Sequence, residues 1–199
     1  MRKHLGMITL AALVVLMLLL YTVAFQVDQL QDVLLVKTFG RVTDVLRGDE
    51  RPGLHLKWPY PIQRVVRYDA RTFVFEDPFH QIQTKDAKNI LMSMYCTWRI
   101  EDPVKFHRAI ETVDAATERL RTHLRFYKSN VVGRSDMGDL VNTDPKKMAL
   151  TRIEEEILEP LRREAREDYG VDVRMVGVKV VGLPKSINSA VIDSQKADR

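Results

Sequence analysis

The chain opens with a continuous apolar stretch, and alternation of apolar and polar residues begins only after it. The 21 residues from Leu5 to Phe25 carry no charged side chain. A helix of that length extends about 31 Å, close to the hydrocarbon thickness of a bilayer. Cleaved leader segments have shorter apolar cores that end in small residues, whereas this run ends in Tyr21–Phe25. The pattern therefore predicts a transmembrane anchor over 5–26, preceded by a four-residue tail at 1–4.

The charges that flank this stretch predict its orientation. Arg2 and Lys3 precede the stretch, while Asp28 and Asp32 follow it. Because cytoplasmic flanks are enriched in Lys and Arg, we expect a cytoplasmic N-terminus and a domain on the opposite side of the membrane.

Several segments with β-branched or alternating residues predict strands after the anchor. They are 33–39, 65–67, 72–75, 91–100 and 171–181. The clearest is Leu91–Ile100, in which alternate residues are apolar over ten positions, as in a half-buried strand. The buried face is expected to carry Met92, Met94, Cys96, Trp98 and Ile100. The segment 54–58 reads as an edge strand or a loop, because Pro59 and Pro61 limit pairing there.

Two amphipathic stripes predict helices between these strands. The first consists of Ala116, Leu120, Leu124, Tyr127 and Val131, and the second of Leu150, Ile153, Ile157, Leu161 and Ala165. The pairs Asp102–Pro103 and Asp144–Pro145 are typical helix starts. Pro160 predicts a kink or a break in the second helix, and Gly170 predicts its end. Together with a further helix beginning near Ser186, the order of elements predicts an α+β domain with helices on one face of a mixed sheet.

Composition and motifs argue against several kinds of function. The net charge is only +4 and no basic stripe is present, which argues against nucleic-acid binding. The single Cys96 excludes an internal disulfide and reads as a core thiol. We find no metal-ligand spacing, phosphate loop, dinucleotide fingerprint or nucleophile elbow, so no catalytic, cofactor-binding or metal-binding residue is predicted. The run Glu154–Glu156 reads as a solvated helix face.

One short loop is the candidate functional site. Trp58, Pro59, Tyr60 and Pro61 form an aromatic and proline cluster about thirty residues after the anchor. Amphipathic aromatic side chains favour the membrane–water interface. The cluster therefore reads either as a membrane-contacting loop or as an edge-strand cluster packed in the core.

A set of short motifs, all in the same order, resembles the stomatin/prohibitin/flotillin/HflK-HflC family, also called SPFH or band 7. The motifs are Leu34–Val42, Pro52–His55, Arg67–Arg71, Gln83–Asp86, Tyr95–Ile100, Asp102–Pro103, Gly170–Val173, Val178–Lys179 and Leu183–Pro184. They are most similar to the HflC branch, and they place an SPFH domain over 28–184 directly after the anchor. The family continues into a long charged helix, so 185–199 is expected to be the start of that helix, apparently truncated at Arg199.

This resemblance implies a non-enzymatic scaffold in the bacterial inner membrane, with the domain on the periplasmic side. It implies assembly with an HflK-like paralogue into hetero- or homo-oligomers and regulation of the membrane AAA+ protease FtsH. Two alternatives stay open. One is a membrane-tethered hydrolase, which requires a nucleophile, a base and an orienting group in a pocket. The other is a lipid-binding module that organises membrane microdomains, which requires an exposed apolar patch at the membrane end.

Overall fold

The computed structural model describes residues 32–141 and 149–182, together with 23–28 and positions 6, 7, 10, 12–14 and 17 of the N-terminal stretch. The chain divides into two compact units, Met1–Arg71 and Thr72–Arg199.

The first unit contains five short antiparallel strands. They are β1 (Ala24–Val27), β2 (Asp32–Thr38), β3 (Arg41–Arg47), β4 (Gly53–Leu56) and β5 (Gln63–Asp69). β1 pairs with β4, while β2 lies between β3 and β5 in a three-stranded sheet. A small core forms where these strands meet, built from Val27, Leu34, Val36 and Leu46 with Phe25 and Val65 against it.

The second unit combines three long strands with helices. Its elements are β6 (Phe73–Gln83), β7 (Asn89–Ile100), α1 (Pro103–Ala109), α2 (Val113–Val132), α3 (Met137–Leu140), α4 (Leu150–Tyr169) and β8 (Val171–Gly182). β7 is the central strand of an antiparallel sheet in the order β6-β7-β8. α4 packs along β8 and against α2, and α2 also contacts β6. The predicted α+β class is confirmed. The predicted mixed sheet is wrong, because the described strands form three separate sheets in which every pairing is antiparallel.

The alternation in β7 is confirmed residue by residue. Met92, Met94, Cys96 and Trp98 are fully buried and Ile100 nearly so. The Trp98 ring lies 4.8 Å from the Phe73 ring centroid and 6.4 Å from that of Phe106. A strand in the middle of a sheet buries its apolar face under the helices, and aromatic contacts at these distances stabilise it further.

The helix ends follow the local sequence. The Asp102 carboxylate accepts hydrogen bonds from the backbone N–H groups of Val104 and Lys105, both at 3.0 Å, and so caps α1. Gly170 ends α4 in the left-handed conformation, with φ +66°. Of the two alternatives predicted at Pro160, the break is wrong, because α4 runs through this residue, and the kink stays a prediction. Proline removes one hydrogen bond, and the buried residues Ile157 and Leu161 hold the helix on both sides of it.

The buried stripe of α2 also differs from the predicted one in its second half. Ala116, Leu120 and Leu124 are buried as predicted, but Lys128 and Val132 follow instead of Tyr127 and Val131. Steps of four keep the stripe facing the sheet, and Lys128 is accommodated because its ammonium group pairs with the buried carboxylate of Asp77.

The N-terminal prediction requires one correction at its boundary. The described residues up to Val23 are helical, but Ala24–Val27 form β1, because their backbone groups pair with β4. The anchor predicted over 5–26 therefore cannot extend past Val23. No helix among the described positions is long and apolar enough to cross a membrane.

Four predictions fall outside the described residues: the tail at 1–4, most of the anchor, the helix start at Asp144–Pro145 and the helix beginning near Ser186.

Candidate functional site

The loop that joins β4 to β5 carries the predicted site residues, and its two aromatic side chains face outward. Trp58 is 65% exposed and Tyr60 is 71% exposed, so the core-packed interpretation of these side chains is wrong. Pro59 is half-buried and Pro61 is exposed, and the Tyr60–Pro61 peptide bond is cis. Membrane contact by the loop stays a prediction.

Hydrogen bonds fix this loop to the turn between β2 and β3. The backbone N–H of Trp58 donates to Oε1 of Gln63 at 2.8 Å, and Nε2 of Gln63 donates to Oγ1 of Thr38 at 3.0 Å. The backbone N–H of Phe39 donates to the carbonyl of Ile62, also at 3.0 Å. Gln63 thus satisfies both polar groups of its amide while it connects the loop to the end of β2.

The β2–β3 turn adds an aromatic residue that sequence reasoning missed. Phe39 is 78% exposed and has φ +48°, an uncommon conformation for a bulky residue. A groove of about 240 Å³ is lined by both turn and loop residues, among them Phe39, Tyr60 and Pro61. The only signal in the sequence was a phenylalanine directly before Gly40, at a position where turns prefer polar residues.

Positive charge surrounds these aromatic rings. The guanidinium of Arg64 lies 5.5 Å from the centroid of the Tyr60 ring, within range of a cation–π interaction. Lys37 and Arg64 line the groove beside Phe39, and Lys57 lines a second groove beside Trp58. None of the described residues that line either groove is acidic. We call Phe39, Leu56, Trp58 and Tyr60, with these basic neighbours, the loop surface.

The loop surface adjoins the end of the N-terminal helical stretch. The backbone N–H of Lys57 donates to the carbonyl of Val23 at 2.8 Å. Val23 is the last helical residue before β1 and lines the second groove together with Leu56 and Trp58. Exposed aromatics, basic side chains and the end of the predicted anchor therefore lie together within the first unit.

The second unit holds a cluster that superficially resembles a catalytic relay. Nδ1 of His123 lies 3.1 Å from Glu164, its Nε2 lies 3.2 Å from the hydroxyl of Tyr169, and the hydroxyl of Tyr127 donates to Glu164 at 2.8 Å. Burial, and then the hydrogen bond to Glu164, raise the pKa of Tyr127. A tyrosine with a raised pKa is a poorer nucleophile at neutral pH. The arrangement therefore fits a set of polar contacts that hold α2 against α4 better than a catalytic site.

Cys96 is equally poor as a nucleophile. Its side chain is fully buried in β7, and burial raises the pKa of the thiol to about 12. The thiolate is therefore scarcely populated at neutral pH. Among the described residues, no group of three or more His, Cys, Asp or Glu side chains is arranged to hold a metal ion.

Comparison with known proteins places this architecture in a family. The SPFH domain / Band 7 family matches residues 26–199. The chain belongs to this family. The match begins inside β1 and covers the strands, the helices and the loop surface, so the SPFH resemblance inferred from the short motifs is confirmed.

Individual relatives of this SPFH protein include several named HflC. Protein HflC of Vibrio parahaemolyticus is 31% identical over an alignment of 195 positions, and the alignment covers 83% of this chain and 59% of the relative. The modulator of FtsH protease HflC of Escherichia coli K12 is 22% identical over 231 positions, covering 96% of this chain and 68% of the relative. A stomatin homolog of Pyrococcus horikoshii is 29% identical over 162 residues, covering 80% and 54%. The chain thus spans about three fifths of the length of the HflC proteins of Vibrio.

Proposed function

We propose that this chain is a non-enzymatic membrane scaffold of the HflC type. In this proposal it is anchored in a bacterial inner membrane with a cytoplasmic N-terminus and a periplasmic SPFH domain. It assembles with an HflK-like paralogue and regulates a membrane AAA+ protease similar to FtsH. The name of the Escherichia coli relative, a modulator of FtsH protease, supports the protease part.

The observation that carries the membrane part is the position of the loop surface. Trp58 and Tyr60 are exposed, and the hydrogen bond between Lys57 and Val23 ties their loop to the end of the predicted anchor. A chain that leaves the bilayer at Val23 keeps this loop near the headgroups, where tryptophan and tyrosine rings are favoured. We therefore propose that Trp58, Pro59, Tyr60 and Pro61 contact the bilayer.

Tryptophan fluorescence tests this membrane contact without an added label. The chain has only two tryptophans, exposed Trp58 and fully buried Trp98. We expect brominated lipids to quench the full-length protein in vesicles, and the quenchable fraction to disappear in Trp58→Phe, which retains Trp98. Equal quenching of the wild type and the variant would place Trp58 away from the bilayer and contradict the proposal.

The regulatory part is tested with the protease itself. The full chain and an HflK-like partner are reconstituted in one membrane with an FtsH-like protease and a membrane substrate. We expect the protease to co-purify with the chain and substrate degradation to change at least severalfold. The matched variant Trp58→Ser/Tyr60→Ser removes the aromatic contact and is expected to weaken the effect. Unchanged degradation with no co-purification would rule out the protease as a target.

The hydrolase alternative has its own test. His123→Gln removes the His123–Glu164 pair but leaves the loop surface intact. Turnover of casein or simple esters by the wild type that is lost in this variant would favour an enzyme. We expect no turnover by either protein.

A further inference from the structure

The groove beside Trp58 has the size and lining of a ligand site. Its volume is about 560 Å³, within the range of pockets that hold small molecules. The described residues that line it are Val23, Leu56, Lys57, Trp58, Pro59 and Gln63. Four of these six residues are apolar or aromatic, and Leu56 and Trp58 present most of their side chains to the outside.

Two polar groups of the groove are already hydrogen-bonded. The amide of Gln63 is bonded to Trp58 and Thr38, and the backbone N–H of Lys57 is bonded to Val23. Among the described residues of the lining, the ammonium group of Lys57 is the single charged group. An apolar groove with one cation at its wall matches a ligand with an apolar chain and an anionic head.

We propose that this groove binds one acyl chain of an anionic phospholipid, with the lipid phosphate held by Lys57. The inference rests on the membrane location proposed above. The occupant follows from the position of the groove, since its wall includes Val23, where the N-terminal helical stretch ends. A groove that opens at this depth meets headgroups and acyl chains. The adjacent basic residues Lys37 and Arg64 also favour an anionic head over a zwitterionic one.

The strand β4 offers a matched pair of variants. Leu54 and Leu56 are two positions apart, so they point to the same side of the strand. They are 73% and 74% exposed, but only Leu56 lines the groove. Leu56→Asp and Leu54→Asp therefore add the same charge to the exposed surface, but only Leu56→Asp places it in the groove. Leu56→Trp, which fills the groove while keeping it apolar, is a second variant that does not add a charge.

The experiment uses phosphatidylglycerol with a photoreactive acyl chain in phosphatidylcholine vesicles that contain the full-length chain. We expect labelled peptides to contain Leu56 and Trp58. Leu56→Asp and Leu56→Trp should lower this labelling about tenfold. A leucine side chain that the acyl chain covers contributes about 1.5 kcal/mol or more, which corresponds to about a tenfold change in affinity. Leu54→Asp should change it less than twofold.

The charge is tested separately. Lys57→Gln should lower the preference for phosphatidylglycerol over phosphatidylcholine about fivefold, the effect of one lysine near an anionic surface. Arg41→Gln removes an equal charge from the start of β3, outside both grooves, and should leave the preference nearly unchanged.

Three outcomes would overturn the inference. Equal labelling in the two leucine-to-aspartate variants would show general adsorption to the bilayer. Equal labelling by photoreactive phosphatidylglycerol and by photoreactive phosphatidylcholine would exclude the role of Lys57. Cross-linking of Leu56→Cys to a second copy would identify that copy as the occupant. If Trp58 is quenched by brominated lipids but labelling is not groove-dependent, only this inference fails. If Trp58 is not quenched, the membrane contact fails with it.

Discussion

The two units of the chain differ in whether their large apolar and charged residues are buried or exposed. In the second unit, a long central strand buries two methionines, a cysteine and a tryptophan completely under helices, and even the Asp77–Lys128 ion pair is inside. In the described part of the first unit, seven apolar residues are buried, most of them on β2, while Phe39, Leu54, Leu56, Trp58 and Tyr60 face outward.

The difference follows from what covers the strands. Two helices of twenty residues each supply an apolar layer in the second unit. From Ala24 onward, the described part of the first unit has only strands and turns. The apolar residues of β2 are buried, but Leu54 and Leu56 of β4 and the aromatic residues of the loop after it stay exposed. The second unit also exposes single rings such as Phe79 and Phe126, as most proteins do. On the loop surface, by contrast, several large apolar side chains occur together beside basic residues, which is typical of an interaction site.

The largest effect that this comparison predicts is at Asp77. Its buried carboxylate accepts hydrogen bonds from Nζ of Lys128 and, at 2.6 Å, from Nε of Arg125. Asp77→Asn leaves the Lys128 ammonium buried without its counter-charge, which should lower the free energy of unfolding by about 3–5 kcal/mol. The neighbouring Glu76→Gln, which breaks an exposed pair with Lys179, should cost less than about 1 kcal/mol. Urea denaturation followed by circular dichroism measures both, and similar losses would refute the buried-pair account.

A smaller loss is expected at the end of α4. A Cβ added at Gly170 would lie 2.6 Å from the backbone carbonyl oxygen of Asp102, and the residue has φ +66°. Gly170→Ala should therefore cost more than the ~1–2 kcal/mol of a left-handed conformation alone. Gly138→Ala is the control, because the space around Gly138 is open and alanine is the better helix former in α3. Thermal unfolding should show a clear loss for the first variant only, and equal midpoints would contradict the steric argument.

The smallest effect is expected on the loop surface. Phe39→Asn removes an exposed ring and places at φ +48° a residue that tolerates this conformation. The free energy of unfolding should change by less than about 0.5 kcal/mol, as for surface positions in general. In contrast, Leu34→Asn in the buried centre of β2 should be strongly destabilising. A large loss for Phe39→Asn would mean that the ring stabilises the fold and is not available for binding.

Local patterns predicted those parts of the fold that depend on neighbours in sequence. The alternation of apolar and polar residues predicted the buried face of β7. Asp102–Pro103 predicted the start of α1, and Gly170 predicted the end of α4. β3 was missed because Arg41–Arg47 is polar at most positions and its pairing with β2 contains an irregularity after Val36. Lys128 was missed because its burial depends on Asp77, 51 residues away in the chain.

The candidate site was predictable only in part, for the same reason. Trp58 and Tyr60 stood out as an aromatic pair flanked by prolines. Phe39 and Leu56 did not, because the loop surface forms only when a hairpin turn about twenty residues upstream is hydrogen-bonded to the loop. Non-local contacts of this kind leave no periodic signal in the sequence.

The pairing of β1 with β4 also has a mechanical consequence. Any pull transmitted along the chain from the N-terminal stretch reaches the strands of the first unit at Ala24, the first residue of β1. The antiparallel ladder joins β1 to β4 through four residue pairs, and the side chain of Arg67 on β5 donates a further hydrogen bond to the carbonyl of Gln26 at 2.9 Å. Because ladder hydrogen bonds run perpendicular to the strands, tension along β1 loads all of them in shear at the same time. β1 is thus built to transmit force from the N-terminal stretch to the domain before it yields.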